Sequence, residues 1–219
     1  MSPLLALLAC AGDETVPEPD LQPTVEPLPE PSTEAGGMRI RGRVDVVTMK
    51  NGSVAVPGSF SALAGKWDVP VDGTLTGLRG RVDVDMESWD SEDPERDERI
   101  ERIFFEVADN RTSSFVITDL EGWPEDGLEV GASSDSTVFV GEMLLSGATV
   151  EARFPVRTTR HDSGWHFVSS ESAELSIEAF GLGEQLAALV AECQHESISD
   201  AVQVRVDIQL GEVGAAGGQ

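Results

Sequence analysis

The stretch Cys193-Gln194-His195 contains the residue types closest to those of a reactive site. A structural zinc site needs about four ligands, yet the other histidines, His161 and His166, lie in a different segment and no second cysteine is near them. A Cys–His nucleophile needs a ring nitrogen within hydrogen-bond reach of the sulfur and a third group that orients the ring. Closeness in sequence shows neither, so we predict no metal site, no catalytic residue and no enzyme. Turnover that depends on Cys193 and His195 is the alternative.

The glycines of Gly181-Leu182-Gly183 resemble a phosphate-binding loop only in part. A phosphate loop has a further glycine, a lysine and a preceding parallel strand. We interpret these residues as the turn into a helix that follows them.

The first cysteine, Cys10, ends a short apolar run, and Leu7-Leu8-Ala9-Cys10 resembles the lipobox of a bacterial lipoprotein signal. On this interpretation residues 1–9 are the remnant of a cleaved signal and Cys10 carries a lipid. The run is short and lacks a basic n-region, which a start codon placed too late would explain. A frayed apolar N-terminus is the alternative. Acylation of Cys10 leaves Cys193 unpaired, whereas a Cys10–Cys193 disulfide would tie the tail to the domain.

Residues 10–37 are rich in proline and acidic residues and contain no basic residue. Such a segment buries too little apolar surface to offset its ordering entropy, so we predict a disordered, extended tether. The folded domain is predicted to span residues 38–212, and residues 213–219 to form a flexible C-terminus. Without a lipid on Cys10, the tether would be a disordered acidic tail.

The formal net charge is -25, from 40 acidic and 15 basic residues. Binding to nucleic acid or to an anionic lipid surface needs clustered lysine and arginine, so we predict no nucleic-acid partner. Membrane attachment must then be covalent or hydrophobic. No apolar run approaches the ~20 residues of a transmembrane helix.

From Met38 onward, apolar and polar residues alternate with a period of two, which is typical of strands with one buried face. The segment Val202–Leu210 is the clearest case, with its apolar residues on one face and Gln203, Arg205, Asp207 and Gln209 on the other. Turn residues such as Asn51-Gly52 separate these segments. Many alternating strands with short turns predict a mostly β domain, an antiparallel closed barrel of about eight strands.

Only two segments have a helical pattern. In the first, Asp93 is the predicted cap, Pro94 lies in the first turn, and Ile100 with Phe104 or Ile103 forms an apolar stripe. The second is 183–193, with Leu186, Leu189 and Val190 on one face.

In the first helical segment, Arg96 and Asp97 have two interpretations. They hold a ligand head group at the end of the barrel, or Asp97 caps the helix while Arg96 pairs with a nearby acid. Phe104 and Phe105 point to different sides of the helix end, so at least one should enter the barrel, as cavity lining or as plain core.

The order of several motifs resembles the YceI-like family over Arg39 to Leu210. The motifs are GSVAVPGSF, RGRVDVDMESWDS, RDERIERIFFEV, SSFVITDLEG, VGEMLLSGATVEARFPV, SAELSIEAFGLG and ISDAVQVRVDIQL. The most specific is the Arg-Asp pair followed by Phe-Phe-Glu. The chain departs from the family pattern at Arg99 and Ile100, where members usually have a histidine and a leucine.

The resemblance implies a lipocalin-like barrel of the bacterial envelope that binds a polyisoprenoid or another long amphiphilic lipid, without a cofactor and without catalysis. The residues predicted to contact the ligand are Arg96, Asp97, Ile100, Phe104, Phe105, Phe139 and Phe180. Together with the lipobox, it implies a periplasm-facing lipoprotein that is held off the membrane by the tether. The alternative is a packed barrel that binds a protein partner through its loops or through the face of Arg205, Asp207 and Gln209.

Overall fold

The computed structural model describes residues 38–68 and 78–212. These residues form eleven strands and two short α-helices, α1 (Pro94–Arg99) and α2 (Gly183–Cys193). The strands are β1 (Met38–Lys50), β2 (Val54–Phe60), β3 (Leu63–Asp68), β4 (Arg79–Asp85), β5 (Trp89–Asp90), β6 (Thr112–Glu121), β7 (Ser133–Leu145), β8 (Ala148–His161), β9 (Gly164–Ser169), β10 (Ala173–Ser176) and β11 (Ala201–Glu212).

All strands belong to one antiparallel sheet with the order β3-β4-β6-β7-β8-β9-β11-β1-β2-β5, and β10 pairs with β11 beside β9. β11 is the strand on which the sheet branches, because its first part pairs with β10 and its second part with β9. Strands that follow one another in sequence are mostly neighbours, as expected for chains joined by short turns.

The sheet is curled around one hydrophobic core. Trp67 on β3 stacks on Phe167 of β9, with ring centroids 6.3 Å apart and an interplanar angle of 8°, although four strands separate β3 from β9 in the sheet order. Trp67 also packs on Phe139 of β7, at 6.5 Å. Side chains from distant strands therefore meet inside the curve.

The predicted alternation is confirmed, because one face of each long strand supplies the core. On β11, Val204, Val206, Ile208 and Leu210 are buried, whereas the residues between them are exposed. The burial of these apolar side chains, at about 25 cal/mol per Å² of area removed from water, is the main contribution that holds the sheet in its curled form.

Both predicted helices are present. α2 has the predicted bounds, and its C-cap residue, Gln194, has a φ of 54° in the left-handed region. Leu189 is buried and Leu186 packs against the core, so the predicted apolar face does point inward.

The predicted strand count and closure are not confirmed. The alternating residues 163–177 are interrupted at residues 170–172 and form two strands, β9 and β10, and the sequence pattern did not reveal β3 or β5. Within the described residues, the terminal strands β3 and β5 each pair with one neighbour only, so the hydrogen-bonded path is open. β3 lies beside β1 without pairing with it. The side chain of Ile40 on β1 reaches Gly65 on β3, since a Cβ atom added to this glycine would lie 3.5 Å from Ile40 Cδ1.

The predictions for residues 1–9, 10–37 and 213–219, including lipidation of Cys10, lie outside the described residues. In the two described ranges, no helix has the length and apolar character needed to cross a membrane.

Candidate functional site

The curled sheet encloses two apolar cavities. The smaller, of about 60 Å³, is lined by Trp67, Phe115, Phe139, Phe154 and Ile208 among others. The larger, of about 100 Å³, lies toward the helices, and its walls include Phe60, Met86, Phe104, Phe105, Phe180 and Leu182.

The two cavities are adjacent, because five residues line both. They are Val44, Val84, Ser113, Met143 and Val204. The one polar side chain among these five, Ser113, donates its hydroxyl to Leu144 O at 2.9 Å, so its hydrogen bond is made within the sheet. The interior therefore offers a continuous apolar lining from the Trp67 end to the helices.

An aromatic cluster covers the larger cavity, and we call it the aromatic end: Phe60, Trp89, Phe104 and Phe105. Phe105 lies 5.6 Å from Phe60, 5.9 Å from Trp89 and 5.0 Å from Phe104, measured between ring centroids. The tilted and edge-on angles are those that aromatic pairs favour. This cluster is the boundary between the apolar interior and the helical segment.

The helical segment begins as the sequence indicates. Asp93 is the N-cap and its side chain accepts a hydrogen bond from Arg96 N at 3.2 Å, while Pro94 occupies the first turn. The helix then widens into a π-helical turn, Ile100–Phe104, in which Phe105 N donates to Ile100 O at 3.0 Å. The wider turn brings both Phe104 and Phe105 to the larger cavity.

Arg96 and Asp97 bind Ser91 and line neither cavity. Asp97 Oδ1 accepts hydrogen bonds from the backbone N–H and the hydroxyl of Ser91, and the guanidinium of Arg96 donates to Ser91 Oγ at 2.7 Å and to Ser91 O at 2.6 Å. The interpretation of Asp97 as the cap is wrong, because Asp93 has that role. The prediction that Arg96 pairs with an acidic residue is also wrong, because Arg96 donates to the buried Ser91.

The remaining predicted contact residues are placed as follows. Phe139 lines the smaller cavity and Phe180 the larger. Ile100 packs against the core without lining either cavity. The fold thus brings four of the predicted residues to the lining of the two adjacent cavities: Phe104, Phe105, Phe139 and Phe180. Arg96 and Asp97 do not line the cavities and bind Ser91 instead.

Sequence reasoning did not identify the strand residues that form most of the lining. The signal that was available for Val44, Val84 and Val204 is the alternation of apolar and polar residues, which predicts their inward faces. Their meeting at one cavity wall depends on the pairing of strands far apart in sequence.

The Cys193 region shows no reactive geometry. Cys193 is the last residue of α2 and is partly exposed, and within the described ranges no hydrogen bond joins its sulfur to His195. His166 Nε2 lies 2.7 Å from Asp207 Oδ1 on the outer side of the sheet. The described residues contain no cluster of histidine, cysteine and carboxylate side chains that fits a metal ion.

One carboxylate of the helical segment has a perturbed pKa. Burial raises the pKa of Glu101 above its usual 4.5, and the nearby charges of Asp97 and Glu87 raise it further. The segment that covers the cavity therefore carries like charges close together.

The YceI-like domain model matches residues 38–210 of the chain. The chain belongs to the YceI-like family. No curated protein matches the sequence significantly.

Solved structures share this YceI-like fold at low sequence identity. A polyisoprenoid-binding domain from Saccharophagus degradans, implicated in plant cell wall breakdown, has a TM-score of 0.66 at 16% identity, covering 80% of this chain and 97% of that chain. BcnA from Burkholderia cenocepacia gives 0.58 at 15% identity, with 77% and 95% covered. A YceI protein from Campylobacter jejuni gives 0.53 at 13% identity, with 75% and 90% covered. At such identities the likeness establishes the fold.

Proposed function

We propose that this chain binds a long-chain amphiphilic lipid, such as a polyisoprenoid, inside its curled sheet and performs no catalysis. The observation that carries the proposal is the pair of apolar cavities with a shared wall, covered by the aromatic end. Membership of the YceI-like family supports it, as does the polyisoprenoid binding named for the Saccharophagus degradans domain.

The energetics suit an apolar chain. A lipid tail that loses on the order of 500 Å² of contact with water would gain about 12 kcal/mol before the costs of ordering. No charged group of the protein is needed for this gain.

The volumes indicate that side chains must move when a long tail enters. An apolar protein cavity of about 150 Å³ binds benzene, and the two cavities measure about 60 and 100 Å³. A tail longer than a benzene-sized group requires Phe104, Phe105 or Phe180 to change rotamer, since these residues form the wall next to the helices.

The proposed container is a lipocalin-like barrel made of the eight strands from β3 to β1 in the sheet order. Its seam lies between β3 and β1, where side chains such as Ile40 fill the gap in place of ladder hydrogen bonds. A seam without hydrogen bonds can widen more easily than a paired one, which would help the interior to expand around a tail.

The test of ligand binding is mass spectrometry of organic extracts from protein purified without detergent, together with the native mass of the intact chain. We expect a stoichiometric amphiphile. Val204→Phe, on the wall shared by both cavities, should reduce the bound amount, whereas Gln203→Phe, which points outward from the same strand, should not. If no amphiphile is found repeatedly, and added lipids also fail to bind, the proposal is wrong. The alternative, a barrel packed with side chains that binds a protein partner, would then be favoured.

We also propose that the chain is a lipoprotein of the bacterial envelope, anchored through Cys10 and facing the periplasm. The support is the Leu7-Leu8-Ala9-Cys10 sequence and the acidic, proline-rich segment that follows it. Metabolic labelling with a radioactive fatty acid should label the protein, and Cys10→Ser should abolish the label while Cys193→Ser keeps it. A wild-type protein that stays unlabelled, expressed from its full-length gene, contradicts the anchor.

A further inference from the structure

The five residues that line both cavities form a band across the interior, which we call the waist: Val44, Val84, Ser113, Met143 and Val204. Each belongs to a different strand, namely β1, β4, β6, β7 and β11. Val84 and Ser113 face each other directly in the β4–β6 pair, whereas Val44 and Val204 are two residues out of register. Such a stagger is expected where tilted strands line one level of a curled sheet. The waist is therefore one layer of side chains.

The waist separates the two cavities along the strands. On β11, Val202 lines only the larger cavity, Val206 and Ile208 line only the smaller one, and Val204 lies between them. The same order from the larger to the smaller cavity is found on β7, for Leu145, Met143 and Phe139. A tail that occupies both cavities must therefore pass the waist.

Met143 is the movable part of the waist. The three valines are branched at Cβ, which restricts χ1, and the hydroxyl of Ser113 is bound to Leu144 O at 2.9 Å. Methionine is unbranched, has three rotatable bonds and adapts to irregular apolar surroundings. Met143 packs against the core without being fully buried, so a change of its rotamer is the simplest way to widen the passage.

The two ends of this interior differ in closure. At the smaller cavity, Trp67 stacks on the fully buried Phe167, and Leu210, next to them in the core, is 2% exposed. These side chains form a packed floor. At the opposite end, Phe104 is half-buried and lies on the π-helical turn outside the sheet. A tail therefore enters past Phe104 and reaches the smaller cavity last.

The serine hydroxyls of the lining are already bound within the protein. Ser113 donates to a backbone carbonyl, Ser114 donates to Asp83 Oδ1 at 2.6 Å, and Ser176 donates to Asp200 Oδ2 at 2.8 Å. Among the described residues of the two walls these are the only serines. The head group of an amphiphile therefore stays at the aromatic end, and only its tail enters.

The length of the interior sets the length of tail that it encloses. Val202 at the larger cavity and Ile208 at the smaller one are six residues apart on β11. This separation is about 20 Å along the strand, and about 15 Å along the axis of the curl for a strand tilt of about 35–45°. An extended chain of single bonds covers about 1.2 Å per bond, a third of the reach of one extended residue. The two cavities together thus match about twelve carbons.

We propose that the interior holds one linear tail, with about twelve carbons enclosed, which passes Met143 and ends with its terminal carbon against Trp67. Met143 and the smaller cavity then determine which tail lengths bind tightly. This inference rests on the proposed function and specifies the length and direction of the tail. Each buried methylene contributes about 4-fold in affinity, so affinity should rise with tail length until both cavities are filled.

The direct test uses the fluorescence of Trp67, because bromine quenches a tryptophan ring that it touches. Laurate that carries bromine on its terminal carbon should quench the wild-type fluorescence at saturation, and Trp67→Phe should abolish that quenching. Octanoate with the same terminal bromine should bind without quenching Trp67, since its shorter tail ends at the waist. Unbrominated laurate and octanoate show how binding alone changes the fluorescence. If bromine next to the carboxylate of laurate quenches Trp67 and terminal bromine does not, the proposed direction is wrong.

The role of Met143 is tested by isothermal titration calorimetry with octanoate, laurate and palmitate, which share one head group, at concentrations below micelle formation. Wild-type affinity should rise by at least about 10-fold from octanoate to laurate and level off from laurate to palmitate. Met143→Ile keeps the side chain apolar and adds a branch at Cβ, so it should weaken laurate by roughly 10-fold and leave octanoate unchanged. Leu145→Ile is the matched control, because it changes branching at the next inward position of β7, which lines only the larger cavity. It should leave the ratio of the laurate and octanoate affinities at its wild-type value.

Val206→Phe fills the smaller cavity from beyond the waist and should give the same selective loss for laurate; it also serves if Met143→Ile does not fold. Equal weakening of laurate and octanoate by Met143→Ile would show that Met143 does not control the passage. If laurate binds wild type no more tightly than octanoate and leaves Trp67 unquenched, passage through the waist is wrong while lipid binding stands. If none of the three fatty acids binds wild type, the proposed function is wrong as well.

Discussion

At the scale of single residues, Ser91 connects the helical segment to the sheet. Its side chain is 4% exposed, its hydroxyl donates to Asp97 and accepts from Arg96, and it directly follows β5. Two charged side chains of the helix thus share one small hydroxyl, in addition to the backbone N–H and carbonyl of the same residue. The Arg-Asp pair that is most typical of the family sequence has, in this chain, a structural partner.

We therefore expect Ser91→Ala to destabilise the fold by about 1–3 kcal/mol, because it removes the hydroxyl that bonds both Asp97 Oδ1 and Arg96 Nε and leaves only the backbone hydrogen bonds of residue 91. Ser163→Ala, in an exposed turn, is the control and should have little effect. Urea unfolding followed by circular dichroism measures both. Equal midpoints for the two variants would show that the Ser91 contacts contribute nothing.

Phe105 is part of the buried core and also lines the larger cavity. It is 8% exposed and touches Phe60, Trp89 and Phe104. Phe105→Ala should cost about 3–5 kcal/mol, as is usual for truncation of a buried phenylalanine, while it enlarges the cavity and lets it accept a bulkier tail. Val130→Ala, at a side chain 53% exposed, is the control. Thermal unfolding and titration with a branched-chain lipid test the two effects, and a loss of stability without any gain for the branched lipid would mean that Phe105 is core only.

At the scale of elements, the alternation and caps were readable because they depend on neighbours in sequence. The inward face of β11 and the bounds of α2 followed from periods of two and of about 3.6 residues. The short strands β3 and β5 could not be predicted from the sequence. β5, for example, has only two residues and pairs only with Ser59 and Phe60 of β2.

The candidate site was only partly predictable for the same reason. Phe104 and Phe105 were expected at the barrel, and both line the larger cavity. The bonds of Arg96 and Asp97 with Ser91 depend on how the chain before the helix folds back, and no local pattern shows this.

The π-helical turn should also make stability depend on pH through Glu101. Burial, with Asp97 and Glu87, raises its pKa above 4.5, so the folded state holds the proton more tightly than the unfolded state. Stability from this group is then present below pH 4.5 and is lost as the pH rises through the folded-state pKa. Glu101→Gln should therefore be more stable than wild type at pH 7, and this advantage should disappear below pH 4.

The control for this prediction is Glu98→Gln, which removes a charge from an exposed position of α1. Thermal unfolding of the three proteins at pH 7 and pH 4 gives the comparison. A gain for Glu101→Gln that is the same at both pH values would point to packing rather than to the carboxylate charge.

At the scale of the whole molecule, the apolar interior and the acidic charge have separate effects. The curled sheet contributes an apolar interior whose main requirement is inward alternation, and the excess of acidic residues in the sequence contributes repulsion from other anionic surfaces. A strongly acidic surface keeps a protein with a large apolar interior soluble, but it also destabilises the compact state through self-repulsion.

The net charge of -25 predicts that salt stabilises the fold. At 0.1 M salt the screening length is about 10 Å, which is short enough to weaken repulsion across the surface. Salt also weakens attractive pairs such as Arg153–Glu121 and Arg157–Asp135, but exposed pairs contribute only about 0–1 kcal/mol each. Since acidic residues outnumber basic ones 40 to 15, the relief of repulsion should dominate, and Tm at pH 7 should rise as sodium chloride increases from 0.02 to 0.5 M.

Near the pI of about 4.2 the net charge is small, so the same salt change should have a much smaller effect on Tm. A Tm that falls with salt at pH 7 would mean that the surface pairs, not the net charge, control stability.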